Sequence, residues 1–130
     1  MDYVISFVVL GGVFALIDAV WLKKMKPLYA KEIGSLLRHK PDIGSAIIFY
    51  VLYVFGASLF VVMPAVSAGV WWYAAIMGLL FGAVTYGTYD LTNLATLKGW
   101  SKKLSFIDIA WGAILTALSS AIAYFVVVWL

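Results

Sequence analysis

Residues 3–22 read YVISFVVLGGVFALIDAVWL, twenty positions with one ionisable side chain, Asp18. A helix rising about 1.5 Å per residue needs about twenty residues to cross the roughly 30 Å hydrocarbon layer of a bilayer, and this stretch supplies them. It is continuously apolar, without the polar/apolar alternation of a barrel strand, so it reads as a transmembrane helix. Only Met1 and Asp2 precede it, so it has no basic leader, and its apolar run is long for a cleaved signal peptide. Three further stretches have the same character, at residues 43–63, 70–90 and 106–130. Composition agrees: 65% of the 130 residues are hydrophobic and 12% charged, where a soluble domain carries about 25% charged residues. The expected fold is all-α, a polytopic membrane protein with four transmembrane helices in a bundle and a single domain over residues 1–130.

The basic residues set the expected orientation. Lys23, Lys24, Lys26, Lys31, Arg38 and Lys40 follow the first span, and Lys98, Lys102 and Lys103 precede the fourth. The connection 64–69 carries none. By the positive-inside rule the first and third connections are cytoplasmic and both termini face outward, in the cytoplasmic (inner) membrane of a cell. A split this complete argues against dual insertion. The net charge of +3 is therefore a topology signal, and no nucleic acid is expected as a partner. Trp71, Trp72, Tyr73, Trp129 and Tyr3 fall at the outer boundary, and Trp21, Tyr29 and Trp100 at the inner one, as in an interfacial aromatic belt. Within the connection 23–42, Pro27 is positioned to open a short amphipathic cytoplasmic helix with Tyr29, Ile33, Leu36 and Leu37 on one face. Such a helix would lie among anionic lipid headgroups; the alternative is a solvated basic loop. His39, between Arg38 and Lys40, reads as a surface histidine.

The acidic residues carry the functional signal. Asp18, Asp90 and Asp108 all fall in the cytoplasmic half of their spans by rise arithmetic. Asp18 and Asp90 lie toward the C-terminal ends of their helices, where the macrodipole disfavours negative charge, so local structure does not account for them. Ser105-Phe106-Ile107-Asp108 reads as an S-x-x-D capping box opening the fourth span, which gives Asp108 a structural reading at least as strong as a functional one. Ala74, Gly78, Gly82, Tyr86 and Asp90 recur every four residues, with Gly78-x-x-x-Gly82 permitting close helix contact. Gly11, Ala15 and Asp18 share a face of the first span, and Asp108, Gly112, Thr116 and Ser119 one of the fourth. Small-residue faces are ordinarily packing seams; here they run into the acidic residues.

Residues 89–100, YDLTNLATLKGW, alternate polar groups with leucine where the third span should leave the bilayer. Asn93 can donate to a carboxylate, and Tyr86 and Thr92 offer hydroxyls nearby. The bland alternative is a polar helix end closing at Gly99 with Trp100 as an anchor. The run D-L-T-N-L-A-T-L-K-G-W, together with Asp18-Ala19-Val20-Trp21 and Asp108-Ile109-Ala110-Trp111, resembles a family of small bacterial four-span membrane proteins catalogued as a domain of unknown function. The resemblance extends along nearly the whole chain. It implies the four-span architecture, supplies no activity, and encourages treating Asp90, Thr92, Asn93 and Trp100 as one unit, with Trp21 and Trp111 as interfacial or anchoring residues.

The chain has no cysteine and one histidine, so no haem, iron–sulfur cluster or thiolate-bound zinc is expected. Three carboxylates gathered in a low dielectric must hold protons or a cation, and oxygen ligands from Asp18, Asp90 and Asp108 suit Mg²⁺, Ca²⁺ or Na⁺. The first expectation is a site of Asp18, Asp90, Asn93, Asp108, Tyr86 and Thr92 that binds or transports a small cation or a proton-coupled solute. Four helices enclose little space, so this reading implies a homodimer. The second is an enzyme or accessory factor acting on a lipid of the cytoplasmic leaflet, which the one-sided polarity favours but no catalytic motif supports. The third is a structural or assembly subunit whose aspartates lock helices together.

Overall fold

The computed structural model describes all 130 residues, and every element in it is helical. Helix α1 covers Asp2–Ile33, α2 Ile43–Ala57, α3 Met63–Ala68, α4 Trp71–Thr96 and α5 Lys102–Trp129. A π-helical turn, Ser58–Val62, joins α2 to α3, so Ile43–Ala68 forms one rod. Its cause is Pro64, which has no N–H and whose ring would strike the carbonyl four residues back. The turn before it widens, and the Met63 N–H reaches the Ser58 carbonyl, five residues away. Three stretches are long and apolar enough to cross a membrane: Asp2–Leu36, Ile43–Ala68 and Lys102–Trp129. At 26 residues α4 is as long, but tryptophan, tyrosine, glycine and threonine replace much of its aliphatic content.

Three local expectations need correction. No separate amphipathic helix exists between the first two spans: α1 runs unbroken through Pro27 to Ile33, and only a 3-10 turn, Gly34–Leu36, follows. The indole N–H of Trp21 donates to the Tyr29 hydroxyl at 3.1 Å, bracing the helix on both sides of the proline. The helix expected from residue 106, α5, opens four residues earlier than its expected cap. Ser101 is its N-cap, accepting from the Leu104 N–H at 3.0 Å, while Ser105 is inside the helix and donates to the Ser101 carbonyl. Asp108 is therefore not a capping residue. Third, residues 64–69 are not a loop; helix continues to Ala68 and reverses at Gly69, whose φ of 71° is in the left-handed region that glycine tolerates.

Helix α5 is the hub, with twelve buried residues. It packs antiparallel to α4 along a seam in which Gly78 faces Thr116 and Ala117, and Gly82 faces Gly112 and Ala113. It also packs antiparallel to α1, through Phe14 on Leu115 and Leu10 near Ala123, and at the far end through Ser101, which donates to Glu32 at 2.6 Å. The rod α2–α3 closes the bundle, with Val54, Ala57 and Val62 against Leu10. The outer surface is aliphatic: Leu16, Val20, Ile48, Leu52, Phe60, Val84 and Val128 are all exposed, as a surface facing hydrocarbon requires.

The Asp42 carboxylate caps α2 at that helix's N-terminus, accepting from the Ser45 N–H at 3.3 Å and hydroxyl at 2.8 Å. These two donors hold its pKa below the ordinary carboxylate value. The sign follows: a group whose folded pKa is depressed stabilises the fold above its unfolded pKa, and that stabilisation is lost as pH falls through the folded value. Asp42→Ala should therefore lower the melting temperature at neutral pH, with the difference from wild type vanishing in acid. An equal difference at both ends of such a pH series would refute the ionised cap.

Candidate functional site: paired carboxyls and crossed tryptophans

The sequence motif D-x-x-W occurs on α1 and again on α5, and both copies carry a preceding isoleucine: Ile17-Asp18-Ala19-Val20-Trp21 and Ile107-Asp108-Ile109-Ala110-Trp111. Because the two helices run antiparallel, the Asp of each motif stands level with the Trp of the other. The two indoles stack face to face, 4.2 Å between centroids with planes 5° apart. The Trp111 N–H donates to Asp18 Oδ1 at 3.1 Å. The Trp21 N–H donates to Tyr29, whose hydroxyl donates in turn to Asp108 Oδ1 at 3.2 Å. Each motif thus serves the carboxyl group of the other, once directly and once through Tyr29.

Asp18 has a second donor, the hydroxyl of Tyr50 on α2, at 2.5 Å from Oδ2. Both its oxygens are satisfied by neutral donors, and Asp18 ties α1, α2 and α5 together. Asp90 has a different environment. It is 1% exposed, its Oδ2 has no donor, and Asp108 on α5 is the acidic group close enough to act on it. No group of three acidic, cysteine or imidazole side chains is arranged to hold a metal ion; Asp18 takes a donor on each oxygen, while Asp90 and Asp108 stand side by side on α4 and α5.

The remaining candidates separate by position. The Tyr86 ring packs against Gly112, where any side chain would collide with it, and lies perpendicular to Tyr53 at 6.0 Å. Gly78 and Gly82 lie in the α4–α5 seam. Thr92 points away: it is exposed, and its hydroxyl donates to the carbonyls of Thr88 and Tyr89 in its own helix. Asn93 is half-buried one turn past Asp90 and makes no side-chain hydrogen bond to a carboxyl group. Trp100 packs edge-on against Tyr89 at 5.7 Å, and its indole N–H has no partner.

Sequence reasoning placed Tyr29 in the interfacial belt and gave Tyr50 no role. A usable signal was present, since Tyr50 and Tyr53 are the polar tips on an otherwise aliphatic face of α2. It placed Thr116 and Ser119 on the Asp108 face of the fourth span but did not find the other buried hydroxyls around them. The Tyr53 and Thr116 hydroxyls lie 2.5 Å apart, with Thr85 at 3.4 Å from Tyr53. Ser119 and Ser120 are buried without partners, and Ser6 bonds Ser58 at 2.5 Å near the opposite end of the bundle.

A family model described as "Predicted membrane protein (DUF2177)" matches residues 3–125. The chain belongs to the DUF2177 family. No curated protein and no solved structure matches it. In this DUF2177 chain the matched region takes in both D-x-x-W motifs, Asp90, the glycine seam and Trp100, so the resemblance drawn from those residues holds. The family description carries the membrane and no activity.

Proposed function

We propose that this protein crosses the inner membrane four times with both termini outside, and that the Asp90–Asp108 pair binds a proton which it carries, alone or coupled to a small solute, between the cytoplasm and the bundle interior. Continuity supports the fourth crossing. The rod Ile43–Ala68 ends at one end of the bundle and α5 begins at the other, and α4 joins them with 26 residues, about 39 Å of helix. The orientation rests on the nine basic residues, all at the end of the bundle where α1 and α4 finish and α2 and α5 begin.

The buried carboxyl pair carries the functional reading. Asp90 and Asp108 are both buried, and two neighbouring carboxylates in a low dielectric repel unless one of them holds a proton. Asp90 has an oxygen still free to receive one. Buried ionisable groups in a membrane bundle are costly and are kept where they serve ions or protons. From Asp108 the hydroxyls climb α5: Thr116 lies about 12 Å further along the helix and Ser120 about 18 Å. Those gaps exceed a direct hydrogen bond, and the unpartnered hydroxyls of Ser119 and Ser120 are suited to holding bridging water. This column extends the polar groups beyond the cytoplasmic half of the spans, where the sequence places the aspartates.

The test is proton flux into proteoliposomes under an imposed potential, read with an entrapped pH dye. Asp90→Asn and Asp108→Asn should reduce flux to that of empty vesicles while the melting temperature stays near wild type. Ser119→Ala with Ser120→Ala should slow it. Wild-type flux indistinguishable from empty vesicles across pH and candidate solutes would overturn the proposal.

A further inference from the structure

At the cationic end a groove of about 290 Å³ opens between the turn after α1 and the end of α4. Ile33, Leu36, Leu37 and Pro41 form one wall; Tyr89 and Trp100, ring edge to ring face, form the other. Arg38 is its one charged lining residue, and it is exposed. We infer that this groove is a binding site for an anionic phospholipid, with the lipid phosphate on the Arg38 guanidinium and the glycerol and first acyl carbons between Leu36, Leu37 and Trp100. The inference uses the membrane reading of the chain and is independent of the proton site.

Charge complementarity identifies the occupant. Lys23, Lys24, Lys26, Lys31, Arg38, Lys40, Lys98, Lys102 and Lys103 gather at this end. The acidic side chains there are already engaged: Glu32 accepts from Ser101, and Asp42 from Ser45. Asp90 and Asp108 are buried inside the bundle. Neutral hydroxyl donors leave those two carboxylates charged, but they offset only two of the nine cations, and the remaining countercharge comes from outside. A planar guanidinium takes two phosphate oxygens at once, which a lysine cannot. Tyrosine and tryptophan are the side chains that sit at headgroup depth, with an apolar body and a polar tip. Leu36 and Leu37, 44% and 50% exposed beside a cation, are costly in water and well placed against acyl chain. A soluble anion would satisfy Arg38 and leave these leucines bare. The groove between Tyr3, Val4, Phe7, Phe55 and Leu59 offers a contrast, since it has no polar lining and nothing to select a headgroup.

The experiment reconstitutes the whole protein in vesicles of equimolar phosphatidylcholine and phosphatidylglycerol, extracts it mildly, and counts retained lipid by native mass spectrometry. Wild type should retain phosphatidylglycerol in preference to phosphatidylcholine. Arg38→Gln should reduce that retention about fivefold, and Arg38→Lys should restore part of it. Lys103→Gln, which removes a charge at the same end but outside the groove, should leave it nearly unchanged. In vesicles whose phosphatidylglycerol is brominated on the acyl chain, wild type should lose more tryptophan fluorescence than Trp100→Phe loses. Equal losses for Arg38→Gln and Lys103→Gln would mean general attraction to an anionic surface, and displacement by inorganic phosphate would mean a soluble anion; either overturns the inference. Loss of proton flux in any of these variants bears on the earlier proposal and not on this one.

Discussion

Gly82→Ala should separate α4 from α5 and leave little folded protein. A Cβ at this position would collide with the Gly112 carbonyl oxygen and lie 2.8 Å from the Ala113 Cα, inside any permitted contact, and both atoms are backbone. A flexible side chain could swing aside, but here the two helices must move apart. Overpacking ordinarily costs about 1–3 kcal/mol, and a clash against backbone on both sides belongs at or above the upper end of that range. Gly112→Ala should be as damaging, because its Cβ would enter the base of the Tyr86 ring. The paired control is Gly12→Ala, where an added methyl meets nothing within 4 Å and removes a helix-weakening glycine. The measurement is thermal stability in detergent, with yield as a second reading. A Gly82→Ala protein that melts with wild type would show that α4 and α5 are not packed this closely.

The second large effect is at the crossed motifs. Trp111→Ala removes a stacked indole and the only donor to Asp18 Oδ1, and large-to-small changes of an aromatic residue cost about 3–5 kcal/mol. Trp111→Phe divides that loss. The ring still covers Trp21, but Asp18 keeps an oxygen without a donor, at about 1–3 kcal/mol. Combining Trp111→Phe with Asp18→Ala should cost less than the sum of the two, by roughly 0.5–3 kcal/mol, since each removes the same hydrogen bond. Additive effects would show that the bond contributes nothing. Asp18→Asn separates structure from function. It retains one acceptor for Tyr50 or Trp111, so it should lower stability yet leave proton flux, in contrast with Asp90→Asn.

This contrast between two aspartates marks where sequence reading loses resolution. Asp18, Asp90 and Asp108 were all legible as anomalies, because an ionisable group in an apolar run is costly wherever the helix goes. Their differing roles were not legible, because a role depends on which donor arrives from another helix. Tyr50 reaches Asp18 from 32 residues away, and Tyr29 reaches Asp108 from 79. The local rule for Asp108 failed in an instructive way. S-x-x-D is a sound cap signature, yet the helix could begin at Ser101, where the Ser101 hydroxyl caps Leu104 and also bonds Glu32 of α1. Pro27 failed similarly as a helix start, since a proline inside a long helix is tolerable when side chains on either side of it are tied together.

The sequence by itself determined that the chain is helical and embedded in a membrane, because apolar length and the obligation to satisfy every backbone group within hydrocarbon leave a helix as the one solution for such segments. It also determined the small-residue seam along α4, because a four-residue recurrence is a property of one helix. Only the tertiary structure decided that α5 is the hub, that the two D-x-x-W motifs cross, and that Asp90 stands beside Asp108 with an oxygen left without a donor while both oxygens of Asp18 are satisfied. Those facts are pairings between helices. The antiparallel direction and rotational setting of each helix create them, and these are fixed by the summed close packing of glycine against backbone rather than by any residue acting locally.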